Sequence, residues 1–407
     1  MSSEPFIPHN FNYPYMWLID FSLTTLLRTV HNIREVHISE SDKELLRSLN
    51  KERLIYISNH PSIKEPPIAY YVANKMGARF CYLAGREIFD WGNGFVGVVL
   101  KNMGTYSILE GTFDRESLKA TRKILSSEKG KLALFPEGEP TSNQNDTMFP
   151  FQPGVAQLAF SGLEDTKKVE PNANIFILPA FVKYRMQESL DDMQKDIEKS
   201  IERLEEKLKL KLLHGSWVER LIAIGEAVLS DFETKFSIKS NKNDSFNDRF
   251  ENLKNSVLDQ IADKLSLKRW NLKDSTVEKL RKILSLYDSV HYTDSQKNIS
   301  KKDVEWARNY CQKVYDFISI DSNYIKELPS PERIYEWIYR FELELFGSYK
   351  PRPMYAVVRF AKPVSLADHY AKYKEDKKKT MDTIMSNLRK EVEFLMEEEI
   401  KKSLRLV

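Results

Sequence analysis

The chain has 407 residues, with 62 Lys and Arg against 59 Asp and Glu and a net charge of +3. So small a charge argues against a surface coated for bulk nucleic-acid binding. Two cysteines, Cys81 and Cys311, exclude a disulfide scaffold and a four-cysteine zinc site. They fit a reducing cytosol.

The first recognisable element runs from Tyr13 to Val30. Met16, Ile19, Leu23, Leu26, Leu27 and Val30 recur at helical spacing, and Pro14 suits a first turn. Asp20 and Arg28 interrupt it, so it falls short of the roughly 18 uninterrupted apolar residues of a membrane span. It also lacks the basic start and small-residue cleavage site of a secretory signal. Two readings stay open for this segment, residues 1–44: a helix packed on the body, or a helix whose apolar face dips into a membrane surface.

Strand and helix signals then alternate from 45 to 186. Leu54–Ile57, Phe80–Leu83, Tyr106–Leu109, Leu132–Phe135 and Ile175–Leu178 are short apolar runs of strand type. Between them, Pro66 to Gly77, Phe95 to Met103, Arg115 to Ser126 and Val155 to Phe160 suit helices. This alternation predicts an α/β fold with a mixed, mostly parallel sheet flanked by helices. Residues 187–350 read as a charged helical insertion; Asp191/Lys195 and Glu205/Lys209 stand four apart. In 351–407 the strand run Met354–Phe360 returns and a last helix follows, so this piece is expected to rejoin and complete the first sheet.

The chemistry concentrates in Asn59-His60-Pro61-Ser62-Ile63-Lys64-Glu65-Pro66. The segment follows a strand and precedes a helix, which puts His60 at a strand's carboxyl end, where α/β proteins place their sites. Glu65, five residues on, can fold back onto the imidazole. A carboxylate on one ring nitrogen fixes the tautomer and makes the other a better base. That nitrogen can then take a proton from an attacking hydroxyl. A second block, Phe135-Pro136-Glu137-Gly138, ends another strand, and Pro153-Gly154 precedes a helix. Gly138 lets backbone N–H groups approach a ligand, and an acid such as Glu137 at a strand end suggests that it binds something.

The two blocks, in this order and at this separation, resemble the glycerolipid acyltransferases, the lysophosphatidate and glycerol-phosphate acyltransferases. Leu178-Pro179-Ala180 and Phe360-Ala361-Lys362-Pro363 are further points of likeness. The resemblance implies acyl transfer from acyl-CoA or acyl-carrier protein to a hydroxyl of a glycerolipid or lysophospholipid. His60 would be the general base, Glu65 its orienting acid, and Glu137 and Gly138 would line the acceptor pocket. No covalent intermediate, cofactor or metal is implied. Backbone N–H groups near Gly138 or at the helix start at Pro66 are the expected oxyanion donors.

Two departures stand out. The family commonly carries an Arg after the strand matching Tyr106–Leu109, where this chain reads Leu109-Glu110-Gly111. After its second block the family has Thr, Arg and Ser, where this chain reads Glu139-Pro140-Thr141-Ser142. A phosphate needs cationic or bidentate donors, and the substitutes in the sequence are Arg86, Arg115, Lys101, Lys183 and Arg185, with Arg86 foremost. The missing cations also motivate an alternative, an acyltransferase-like lipid-binding or scaffolding protein. The expected partners are a thioester donor, a lipid acceptor and a membrane surface, with no nucleic acid. A protein partner at the helical insertion and a cytoplasmic, peripherally membrane-associated location complete these expectations.

Overall fold

The computed structural model describes residues 4–406 except 112–113, 212–213, 242, 269 and 294–297. In chain order its elements are α1 (Tyr13–Val30), β1 (Ile33–His37), α2 (Glu40–Ser48), β2 (Leu54–Ser58), α3 (Glu65–Met76), β3 (Cys81–Gly85), α4 (Phe95–Asn102), β4 (Thr105–Ile108), α5 (Arg115–Ser126), β5 (Lys131–Leu134), α6 (Gly154–Val169) and β6 (Phe176–Met186). Seven helices follow: α7 (Leu190–Leu208), α8 (Trp217–Lys235), α9 (Phe246–Lys264), α10 (Thr276–His291), α11 (Lys301–Asp316), α12 (Ser322–Glu327) and α13 (Pro331–Phe346). The chain then returns through β7 (Met354–Phe360), β8 (Val364–Ser365), α14 (Tyr370–Glu375) and α15 (Lys377–Ile400).

The strands form one mixed sheet in the order β1-β7-β6-β2-β5-β3-β4, with β8 beside β6. The strands β2 to β6 run parallel to their neighbours among themselves, and β7 lies antiparallel to β6. The late strand thus returns to the sheet, as its β-rich text predicts. The edge strand β1 has no counterpart in the sequence reading, which treats residues 1–44 as helical. Only Ile33 of Ile33–His37 is buried. Its partner β7 lies far along the chain, so neither periodicity nor apolar content announces the strand.

Alternation along β2 decides the two faces. Leu54 and Tyr56 pack with Met16, Leu23 and Leu27 of α1 and Ile68 and Val72 of α3. Ile55 and Ile57 face Leu125 of α5, Phe160 of α6 and Leu388 of α15. The helices α7 to α13 enclose a separate core, built on residues such as Ile201, Leu221, Phe250 and Trp337. Much of their charge sits on the outside of a packed unit, while Glu205, Arg220, Lys279, Asp288, Arg333 and Arg340 are buried. Ser189, Ser216, Ser245, Ser275 and Ser300 each cap the N-terminus of one of these helices. That satisfies N–H groups the helices would otherwise leave orphaned.

Candidate active site

The parallel pairing of β2 and β5 brings the two motif blocks together. Ile57 is opposite Leu134, so His60 and Glu137 each lie three residues beyond the same rung. His60 Nδ1 lies 2.9 Å from Glu65 Oε2. The Glu65 carboxylate is buried and fully engaged. It accepts from the Ser62 N–H at 2.7 Å, the Ser62 hydroxyl at 3.1 Å and the Tyr184 hydroxyl at 2.5 Å. These donors fix the carboxylate, which in turn fixes the ring. On its flat side the imidazole stacks on Phe135 at 4.5 Å and 23°. Its Nε2 has no protein partner among the described residues.

The Glu137 side chain is fully buried beneath the histidine loop. One oxygen accepts from the His60 N–H at 2.7 Å and the other from the Phe149 N–H at 2.5 Å. Burial pushes its pKa up to about 7, with the two backbone donors pulling the other way. Glu137 therefore braces two loops, and its oxygens point at backbone. Gly138 makes the turn with φ 79°, and a Cβ there would meet the Gln152 side-chain nitrogen at 1.9 Å. The Gly138 N–H is spent on Phe135 O at 2.9 Å. At the start of α3, Pro66 and Pro67 carry no N–H at all. Gly138, Pro66 and Pro67 themselves thus offer no free donor.

Several positioning residues escape a reading by motif. β6 runs past the end of β2, whose Ser58 pairs with Ala180. The overhanging backbone of β6 needs partners, and two asparagine side chains supply them. Asn59 bonds Val182 N at 2.8 Å and Val182 O at 3.0 Å, while Asn145 bonds Tyr184 N at 2.7 Å and Val182 O at 2.9 Å. The overhang is what carries Tyr184 to Glu65. Asn59, just before His60, is legible as part of the first block; Tyr184 and Asn145 depend on sheet order alone.

The inserted helices lie over these loops. From α10, Arg281 donates to Glu137 O at 2.5 Å, and Asp288 accepts from the Glu110 N–H at 2.8 Å. From α11, Arg308 pairs with Glu87 at 2.5 Å and Tyr315 donates to Pro140 O at 2.7 Å. From α13, Arg340 donates to Ser142 O at 3.0 Å, and Arg333 meets Asp146 at 3.1 Å beside the buried Lys183–Asp146 pair. Gly111 is pressed so close to α10 that a Cβ would sit 2.3 Å from Ser285. Carboxylates collect under this cover. Burial and mutual repulsion raise Glu110 and Glu139 well above the carboxylate range, and Asp288 is pushed up to about 7.

The cations named from sequence lie elsewhere. Arg86 is fully buried, 3.2 Å from Asp90, donating to Glu4 O and stacked 4.3 Å from the Tyr292 ring centre. The guanidinium is enclosed within the fold, with Nη1 at ion-pair distance from Asp90. Arg115 is exposed at the first position of α5. Lys183 is sealed against Asp146, Arg185 pairs with Glu399 at 3.0 Å, and Lys101 is exposed. The cation at the Glu137–Gly138 turn is instead Arg281. It lies in helical text without a distinguishing neighbour, and only packing reveals it. Cys81 is buried in β3 with its thiol pushed up to about 12, which suits a packed hydrophobe.

No curated protein and no solved structure matches the chain. A family model described as Acyltransferase matches residues 30–183. The match takes in β1 to β6 nearly to its end, with His60, Glu65, Glu137 and Gly138, and stops before the inserted helices. Residues 30–183 are thus similar to the acyltransferase family, and the rest of the chain lies outside that likeness.

Proposed function

We propose that this protein transfers a fatty acyl group from a thioester, acyl-CoA or acyl-carrier protein, to a hydroxyl of a glycerolipid or lysophospholipid. The observation that carries the reading is the His60–Glu65 pair at 2.9 Å, with Nε2 left without a protein partner among the described residues. In this reading the acceptor hydroxyl gives its proton to Nε2 as its oxygen attacks the thioester carbonyl. Glu65 stabilises the imidazolium that forms. The tetrahedral intermediate collapses, the C–S bond breaks, and the proton on Nε2 passes to the leaving thiolate. Glu137 acts by holding the His60 backbone. Its neighbour Glu139 has an N–H with no partner among the described residues, and we assign that N–H to the oxyanion.

The acceptor is read from charge. Glu87, Glu110, Glu139 and Asp288 gather around the crevice, and Arg308 is already committed to Glu87. Arg281 is the cation left at the turn. Protonated or ionised, these carboxyl groups offer a phosphomonoester no counter-charge, which favours acceptors without one over lysophosphatidate or glycerol phosphate. Donors and acceptors should be assayed as a matrix: CoA against carrier-protein thioesters, and neutral or zwitterionic lysolipids against phosphomonoesters. His60→Ala should lose on the order of 10²- to 10⁴-fold in kcat. A His60→Ala protein with wild-type turnover refutes the assignment. Lipid binding without turnover in the wild type would favour the scaffolding alternative.

For the membrane, we propose peripheral contact. No described helix is long and apolar enough to cross a bilayer. On α1, Trp17, Leu18 and Phe21 are turned outward, Phe21 at 91% exposure, and Phe95 and Val98 of α4 are also exposed. The two helices adjoin where Asn10 and Asn12 bond the last turn of α4. Ile63, in the loop of His60, is exposed too. Apolar side chains of this size in water favour an interfacial seat.

A further inference from the structure

A cavity of about 880 Å³ opens at the amino ends of β3 and β5, the opposite end of the strands from His60. One wall is the N-terminal segment with His9, Phe11 and Tyr13; the other is the α5–β5 turn with Lys123, Lys129 and Lys131. The charges on its surface are unequally neutralised. Arg79 is matched by Asp20 at 2.9 Å, and Lys129 lies 3.5 Å from Glu128. Lys131 is 3% exposed, yet among the described residues its ammonium donates only to carbonyl oxygens, those of Glu52 and Lys129. Lys123, exposed at the rim, has no carboxylate at ion-pair distance among the described residues.

Burying an ammonium whose hydrogen bonds go to carbonyls is costly; the Glu52 carboxylate offsets part of that cost, and burial still lowers Lys131 to about 8. Lys123 is near enough to His9 to help depress its imidazole, so the two walls converge electrostatically. His9 Nδ1 is itself buried without a hydrogen-bond partner among the described residues. The cavity thus combines excess positive charge, an unused imidazole nitrogen and aromatic rings.

We propose that this cavity is a second ligand site, separate from the His60 crevice, that takes a phosphate-bearing molecule. The phosphate would lie between Lys123 and Lys131, with Lys129 beside them, and the rest of the ligand against Phe11 and Tyr13. The phosphate can come from a soluble nucleotide or from an anionic lipid headgroup, since Tyr13 and Asp20 also belong to α1. The site does not depend on acyl transfer.

The test uses the full chain. ADP and inorganic phosphate are titrated by calorimetry, and flotation compares phosphatidylcholine vesicles with and without phosphatidate. The variants are K123Q/K129Q, whose side chains are exposed, and K131M. Soluble binding weakened about tenfold or more in the variants identifies a nucleotide-type ligand. Phosphatidate-dependent flotation lost in the variants, with pure phosphatidylcholine as baseline, identifies a headgroup. A wild-type chain that binds none of these probes overturns the proposal. So do K123Q/K129Q and K131M proteins that bind as tightly as wild type. Melting temperatures near wild type for K123Q/K129Q ensure that lost binding reflects the site.

Discussion

Glu65 and Glu137 divide the work of two buried carboxylates. Glu65 accepts from two side-chain hydroxyls and a backbone N–H while holding His60 Nδ1. Its replacement by Gln keeps the shape but removes the charge facing the imidazolium. E65Q should therefore lower kcat by about 10²- to 10⁴-fold with KM nearly unchanged, measured in steady-state acyl transfer. Glu137 serves two backbone donors, so its truncation strands both. E137A should cost on the order of 2–4 kcal/mol in denaturant unfolding. A Glu137 truncation as stable as wild type would refute the bracing role.

At the scale of elements, the contact of α10 with the loop at Glu110 is held by groups whose charge is out of place. Asp288 is pushed up to about 7, and Glu87, Glu110 and Glu139 are raised as well. A carboxyl whose folded pKa lies above its unfolded value binds its proton more tightly when folded. Its stabilising contribution is complete below about pH 4 and is lost as the pH rises towards about 7. The melting temperature of the wild type should accordingly fall between pH 5 and 8, and D288N should flatten part of that slope. An unchanged slope in D288N would show that Asp288 does not titrate there. The capping box at Ser275 and Glu278 starts the same helix. S275A should destabilise it by about 1 kcal/mol, read in the same unfolding experiment.

For the molecule as a whole, α1 has two roles on two faces. Met16, Leu23 and Leu27 fill the core against the sheet, while Trp17 and Phe21 point outward. Deleting the first 30 residues would strip that core, so it cannot isolate membrane contact. W17E/F21E changes only the outer face. It should lose binding to phosphatidylcholine vesicles in flotation while keeping the wild-type melting temperature within a few degrees. Undiminished flotation would remove α1 from the membrane contact. The inserted helices join this picture as a roof bound to the site loops by Arg281, Tyr315 and Arg340.

By itself the sequence determined the local elements and the candidate pair His60 and Glu65. Runs such as Leu54–Ile57 form strands because both faces of β2 are buried, and apolar runs reveal buried strands wherever they fall. Histidine and glutamate five apart around a strand–helix turn meet because a short loop leaves them little choice. What only the tertiary structure decided depends on contacts between distant segments. The edge strand β1 exists because β7 lies beside it. Tyr184 reaches Glu65 because β6 overruns β2. Glu137 turns inward because two backbone N–H groups from different loops need an acceptor there. The crevice is acidic because Glu110 and Glu139 are joined by Asp288 from an inserted helix. Local chemistry is written in neighbouring residues, but the solvation and charge of a site are set by whatever the fold brings against it.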